Sequence, residues 1–465
     1  MSDYIPRTAL DRAMRRLSRR ALIERLHAVR ALADVRGVRY VDDAGRSRTI
    51  DIALTPWLLT SAQILHFHRM AALLSSALWR LSSMRAQLPA LREVLPFGAT
   101  DEAWLKLARI PRARPWAVLG RLDSTAVYDH AAWARDYRML EPNTVGVGGV
   151  HYAPAGCSIL LDVLGDVLEA AFPRRAITAT PDPRQLLIDE LKAVAHRRGR
   201  PLRGIVLIEN TDFTTGTDEF GELAHDFKVR GLRAVVADPR ELRWTRQGLS
   251  ARGVPVDLLY RDSELAEFVG MERKGKHLSV LRRAIQEGRL ISGLSWEYDQ
   301  KSAWEVFTDE RYARYFTAAQ RRFFRTHLLW TRLVRNTRVS DPQGRMVDLV
   351  AYIRRHRRQL VLKPNNLFGG TGVVLGKLVS QREWESQLGK ALRGRTRYVV
   401  QQLAHIPEQD FPMLSPTGGV QYVSRHVVSG FYFSSTGIGL VGRFSGQPVV
   451  NVSQGGGLIA SLWVH

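Results

Sequence analysis

The 465 residues are 45% apolar and 24% charged, an ordinary globular balance that excludes a disordered or collagen-like chain. Lys and Arg outnumber Asp and Glu by 68 to 45, a formal charge of +23. The single cysteine, Cys157, excludes an intrachain disulfide framework and a cysteine-based zinc site.

The basic clusters, Arg15-Arg16, Arg19-Arg20, Arg197-Arg198 and Arg354-Arg355-His356-Arg357-Arg358, are scattered, lack interleaved aromatics and sit in no nucleic-acid module. Most of the charge therefore reads as solvated surface, with anionic substrates a lesser contributor and nucleic acid disfavoured. No apolar run nears the ~20 residues that span a bilayer, so no membrane partner is expected. The opening Met1-Ser-Asp-Tyr-Ile-Pro lacks a basic segment followed by an apolar core, and a cytoplasmic location is the expectation.

In chain order, residues 6–36 place Leu10, Met14, Leu17, Leu22, Leu26, Val29 and Leu32 at helical spacing on a basic background, which reads as a surface helix over a core. Residues 39–52 read as a hairpin around Asp43-Ala-Gly45. Residues 56–95 return to helix, and His66 and His68 inside it face apart, which argues against a metal pair. The span 1–115 is thus a mainly helical, basic N-terminal region.

The span 116–157 carries two strand-like pieces, 117–123 and 137–141, each ending in a carboxylate. Paired side by side, they bring Asp123 and Glu141 to one end of a sheet with Asn143 just beyond. Two carboxylates and an amide oxygen form a hard donor set suited to Mg²⁺ on nucleotide phosphates. For a lone Glu-x-Asn, solvated loop residues are the favoured explanation. Cys157 reads as a small, partly buried residue rather than a nucleophile.

From 158 to 297 helices and strands alternate: helices over 159–172, 184–195 and 219–229, strands over 204–208, 234–237 and 256–260. That rhythm predicts a parallel, Rossmann-like lobe. Glu209-Asn-Thr-Asp212, Asp238-Pro-Arg240 and Tyr260-Arg261-Asp262 fall at strand C-terminal ends, where such sheets bind ligands. Caps and turns account for the same residues about as well.

The span 298–397 opens on a helical pattern, 298–335, with Lys301 near its start. Strands over 359–363 and 373–377 then flank Lys363-Pro-Asn-Asn-Leu-Phe-Gly-Gly-Thr-Gly372, and a helix follows over 382–392. Glycines without Cβ let backbone N–H groups close on phosphate oxygens, and the lysine adds a point charge. A plain hairpin turn is the alternative. Neither G-x-x-x-x-G-K-[ST] nor a following dinucleotide-type helix is present. The span 398–465 reads as a strand, 398–403, then strands over 422–428, 430–434, 439–444 and 449–452, from which Arg425 and Arg443 project.

Lys363-Pro with Gly369-Gly370-x-Gly372, Glu141-Pro-Asn143 after Asp123, and Arg443 followed by Asn451-Val-Ser-Gln-Gly-Gly-Gly457 resemble the ATP-grasp superfamily. The order departs from the usual one, because the metal-ligand element comes first in the chain. That order is similar to circularly permuted ATP-grasp proteins, a group that includes glutathionylspermidine-synthase-like enzymes.

The resemblance implies an α/β (α+β) fold with a Rossmann-like lobe, ATP and Mg²⁺, and a carboxylate–amine ligase working through an acylphosphate on small-molecule substrates. It gives Asp123, Glu141 and Asn143 to the metal, and Lys301, Lys363 and the loop of Gly369, Gly370 and Gly372 to the phosphates. Gln401, Gln402 and Leu403 fall at the adenine and ribose hinge, where glutamate is commoner than Gln402. Arg443 and Arg425 would meet the γ-phosphate, with Asn451 completing the shell. Arg121, Arg261 and Asp212 are further substrate-side candidates. A small-molecule kinase, or a non-catalytic nucleotide- or nucleic-acid-binding protein, stands as the alternative. The identity of carboxylate and amine and the oligomeric state are not encoded in these motifs.

Overall fold

A computed structural model describes residues 3–42, 44–108, 117–212, 216–367, 369–452 and 455–465. The expected boundary at 115/116, Asp43 of the hairpin, Phe368 of the glycine loop, and Ser453 and Gln454 of the C-terminal motif lie outside the described residues.

Two helices, α1 (Arg7–Arg15) and α2 (Arg19–Val35), precede a short strand β1 (Trp57–Thr60) and the long helix α3 (Ser61–Gln87). A reciprocal cap starts α3: Thr60 Oγ accepts the Gln63 amide and Gln63 Oε1 accepts that of Thr60. Strands β2 (Gly120–Ser124) and β3 (Met139–Asn143) lead into α4 (Tyr152–Ala171). Next come α5 (Pro183–Arg197), β4 (Ile205–Ile208), α6 (Phe220–Val229), β5 (Ala234–Ala237), β6 (Leu258–Arg261), α7 (Leu265–Arg273), α8 (Ser279–Gln286) and β7 (Leu290–Ile291). Helices α9 (Ala303–Thr308) and α10 (Ala318–His327) are followed by β8 (Thr331–Leu333), α11 (Leu349–Arg355), β9 (Leu360–Pro364), β10 (Val374–Leu375), α12 (Gln381–Arg393) and β11 (Tyr398–Gln402). Strands β12 (Glu408–Leu414), β13 (Val420–Phe433), β14 (Ile438–Ser445), β15 (Gly457–Ile459) and β16 (Ser461–Val464) finish the fold.

These elements build three principal sheets. The largest is antiparallel in the order β15-β14-β13-β2-β3, with β12 also on β13. It joins strands from the first third of the chain to strands from the last tenth. Helix α3 covers one face, where Phe67 stacks on Phe431 with centroids 4.4 Å apart. The second sheet, β7-β6-β4-β5, is parallel throughout, as the alternating pattern predicted. The third, β8-β11-β9-β10, is antiparallel and carries the glycine loop between β9 and β10. It has its own buried cluster, centred on Trp330, Leu360, Leu362, Trp384 and Val400, separate from the two that fill the rest of the chain.

Several expectations change. Residues 298–335 form α9, α10 and the strand β8 rather than one helical run, and 56–95 begins with β1. Residues 420–433 are one unbroken strand, because Gly430 is a site of close approach and not a breaker. A Cβ there would lie 2.8 Å from Arg121 Cδ. Cys157 is buried in α4, donates to the Ser461 carbonyl at 3.1 Å, and is pushed up to about 11 by burial, which suits a packing residue and not a nucleophile. No helix among the described residues is long and apolar enough to cross a membrane.

Candidate active site

In the β2–β3 pair Asp123 lies directly opposite Glu141, and Arg121 opposite Asn143. Opposed residues of antiparallel strands share a face, so all four side chains stand on the same side of the sheet. On the far side of Asp123, β13 places Gly430 opposite it, and Arg443 on β14 stands opposite Val428 on that same face. Arg443 reaches Asp123 Oδ2 at 2.8 Å, Arg121 Nε donates to Oδ1 at 2.9 Å, and Asn143 Nδ2 donates to Oδ2 at 3.3 Å. Burial alone would raise the Asp123 pKa, but the two guanidiniums outweigh it and hold the carboxyl at about 2. Arg121 also donates to the Gly148 carbonyl at 2.6 Å.

The third sheet, termed the lid, brings Lys363 of β9 to this face, and Lys301 joins it from the turn before α9. Lys301 Nζ stands 3.4 Å from Glu141 Oε2 and donates to the Leu367 carbonyl at 2.6 Å. Burial pushes the Glu141 pKa up, yet Lys301, then Lys363, outweigh it and leave it below the usual carboxylate range. Burial lowers the Lys363 ammonium against the opposing pull of Glu141. The loop is anchored by Asn365, whose Oδ1 accepts the Ser302 N–H and whose Nδ2 donates to Gln300 Oε1, both at 2.9 Å. Gly369, Gly370 and Gly372 have φ of +69°, +73° and +71°, a region where a side chain is strained. Asn451 Nδ2 donates to the Gly369 carbonyl at 2.6 Å, which ties the C-terminal motif to the loop. The acidic pair, both lysines, the loop, Arg443 and Asn451 thus converge in one cleft.

Arg425 does not join them. It stands three residues from Val428 along β13, hence on the opposite sheet face, and donates to the Ser424 carbonyl at 3.3 Å. The hinge also differs from the expectation. The Gln402 N–H donates to the Trp330 carbonyl and the Leu403 N–H to that of Gln359, so neither amide is free for a base. Gln401 is 1% exposed, its side chain turned inward. Arg121, read only as a substrate-side candidate, is built into the site; the Arg-x-Asp spacing on a strand is the signal that places it beside Asp123. Thr331, which accepts from Gln401 Nε2 at 2.9 Å, carries no signal in the sequence.

At the edge of the parallel sheet the cap-and-turn reading accounts for part of the polar set. Arg240 holds Asp238 at 2.6 Å and Asp212 at 2.9 Å. Arg261, fully buried, pairs with Glu297 at 2.5 Å. Asp262 is different: burial, then Glu267 and Glu209, push its carboxyl up to about 7.

Two observations bear on what the cleft can hold. Arg443 Nε is buried without a hydrogen-bond acceptor, and Lys301, Lys363 and two arginines outnumber the two carboxylates, which fits a polyanion such as a triphosphate. For a divalent cation, Glu141 and Asn143 offer hard oxygens, while both Asp123 oxygens are already met by arginines. Among the described residues no three His, Cys, Asp or Glu side chains come together as a metal cluster.

No protein-family model matches the chain, and no curated protein matches it in sequence. A glutathione synthetase-like effector from Globodera pallida, solved in its apoform, is similar in structure over 96% of this chain and 97% of its own, with a TM-score of 0.61 at 10% identity. A gamma-glutamylcysteine synthetase-type protein from Methylobacillus flagellatus (12% identity, 82% and 85% covered) and an ATP-grasp RimK domain protein from Sphaerobacter thermophilus (13% identity, 54% and 91% covered) overlay more loosely, at TM-scores of 0.38 and 0.24. The chain therefore has the fold of that glutathione synthetase-like effector.

Proposed function

We propose that the protein is an ATP- and Mg²⁺-dependent ligase that joins a small carboxylate to an amine through an acylphosphate, on a circularly permuted ATP-grasp fold with a Rossmann-like substrate lobe. The observation that carries this reading is the convergence of Lys301, Glu141, Asp123 and Arg443 beneath the glycine loop. A carboxylate does not condense with an amine at neutral pH, because its oxygen is a poor leaving group. Attack of a carboxylate oxygen on the γ-phosphorus of ATP expels ADP and leaves an acylphosphate. The amine nitrogen then attacks the carbonyl carbon, loses its proton, and phosphate departs.

Positioning and charge neutralisation supply most of the catalysis in such a transfer. Lys301 and Lys363 would hold the α- and β-phosphates, and Arg443 would meet the γ-phosphoryl group through its buried, unpartnered Nε. Glu141 and Asn143, with Asp123, would hold Mg²⁺, which would supply charge neutralisation for the phosphates. The loop of Gly369, Gly370 and Gly372 would cover the nucleotide and keep water from the intermediate.

The test is ADP release from ATP in pools of carboxylates and amines, with products identified by mass spectrometry. Release that requires both a carboxylate and an amine, and that yields a hydroxamate when hydroxylamine replaces the amine, is the expected result. Glu141→Gln should lower that release by at least ~100-fold while leaving the circular dichroism spectrum unchanged. A stable phosphorylated product formed without amine would make the protein a kinase. Full activity in Glu141→Gln would remove the metal assignment.

A further inference from the structure

We infer that Gln401 is a positioning residue: its side-chain amide aims the Lys363 ammonium at the nucleotide and sets the lid sheet against the strand that bears Glu141. The inference rests on the reading of Lys363 as a phosphate contact.

The sheet geometry singles this residue out. In the β9–β11 pair Lys363 lies opposite Val399 and Val361 opposite Gln401, so Lys363 and Gln401 are diagonal neighbours on one face. Thr331 of β8 lies directly opposite Gln401 on that face. The other face, with Leu360, Leu362 and Val400, packs into the lid's apolar cluster. Lys363 and its two polar neighbours thus look toward the acidic pair rather than into the lid.

Every polar atom of the Gln401 amide is engaged. Oε1 accepts from Lys363 Nζ at 2.8 Å; Nε2 donates to Thr331 Oγ1 at 2.9 Å and to the Leu140 carbonyl at 3.3 Å. Thr331 spends its own proton on the Leu329 carbonyl at 3.0 Å, so it can only accept from Gln401. An ammonium only donates and a carbonyl only accepts, which fixes the orientation of the amide. Leu140 is the residue before Glu141 on the edge strand β3, so one amide links the lysine of the lid to the backbone of the acidic strand.

A neutral acceptor suits that task. Lysine carries a flexible four-carbon stem and a strongly hydrated charge, and in a partly buried cleft it moves to the nearest anion. Here that anion is Glu141, which the Lys363 charge already stabilises. A glutamine holds the ammonium without cancelling its charge, leaving Lys363 for phosphate and Glu141 for a cation.

The test is isothermal calorimetry of a non-hydrolysable ATP analogue, AMP-PNP with Mg²⁺, on the full chain and on Gln401→Met, Gln401→Glu, Lys363→Met and the double variant Gln401→Met/Lys363→Met. Gln401→Met should weaken binding by ~10-fold, as expected for a hydrogen bond to a charged group. The double variant should bind no more weakly than Lys363→Met alone, because the glutamine acts through the lysine. Gln401→Glu should also weaken binding, since its carboxylate neutralises the ammonium. On the alkaline side, the affinity of Gln401→Met should fall at a lower pH than that of the native chain, because an ammonium without its acceptor loses its proton more readily. A structural role would not move that profile. If Gln401→Met does not fold, Thr331→Val cuts the same relay from its other end, and the same non-additivity with Lys363→Met is expected. Losses that multiply in the double variant, or native affinity in Gln401→Met, would overturn the inference alone. Native affinity in Lys363→Met would overturn the phosphate reading and the inference together.

Discussion

Among single residues, Asp123 and Asp262 show how one side-chain type takes opposite roles from its surroundings. Asp123 is ionised at every working pH because two guanidiniums offset its burial. Asp262, on the neighbouring sheet edge, has acidic neighbours instead, and its carboxyl is held up at about 7. An unfolded aspartate ionises near pH 3.9, so between about pH 4 and 7 the unfolded chain has lost a proton that the folded chain keeps, and stability falls as pH rises. Asp262→Asn removes that term. Its denaturation midpoint in urea should match the native protein near pH 4, rise above it through pH 7, and level off with a gain of up to about 4 kcal/mol. Equal midpoints at pH 4 and pH 8 would contradict the raised pKa. Position along the chain revealed both carboxylates at strand ends; only the partners brought by other strands distinguish them. Arg425 failed as a site residue for a related reason. Which face a strand residue takes depends on its register with β14, and a shift of one position reverses it.

At the scale of elements, the glycine loop and the edge strand β3 decide how the cleft is assembled. Three left-handed glycines in four residues let the chain turn back from β9 to β10 without strain. Gly372 has little room, since a Cβ there would come within 2.8 Å of Pro364 Cγ. Gly372→Ala should cost about 1–2 kcal/mol in the loop. Amide exchange over 365–375 should accelerate while the melting temperature of the rest of the protein stays within a degree or two of native; unchanged exchange would mean that the loop tolerates the side chain. This loop was legible from Lys363-Pro and the glycine spacing, as were the strands that flank it. The β8 strand was not, because Thr331-Arg-Leu333 is three residues long and adjoins a helical run. Without β8 the partner of Gln401 could not be seen, and the glutamine read as a nucleotide contact.

Taken as a whole molecule, the chain divides by its buried clusters more sharply than by its composition. The lid's cluster is closed around Trp384, which is fully buried and donates to the Ile353 carbonyl at 3.2 Å. Trp384→Ala should destabilise that lobe by about 3–5 kcal/mol. Two unfolding transitions are expected on heating, with AMP-PNP binding lost at the first; a single transition at the native temperature would show the lid to be one cooperative unit with the remainder. The parallel sheet was legible in the alternation of helix and strand, and the meeting of Asp123 and Glu141 with the glycine loop in their motifs. The antiparallel sheet that unites them was not, because its order interleaves distant segments. That interleaving bears on biogenesis. Strand β2 waits for β13, and β1 for β16, partners that follow hundreds of residues later in the chain. Until those strands emerge Leu122 and Leu58 lack the neighbours that bury them, so a nascent chain stays sticky over a long stretch of translation. Yield in cells should accordingly respond to chaperone supply and elongation speed far more than to the equilibrium stability of the folded protein.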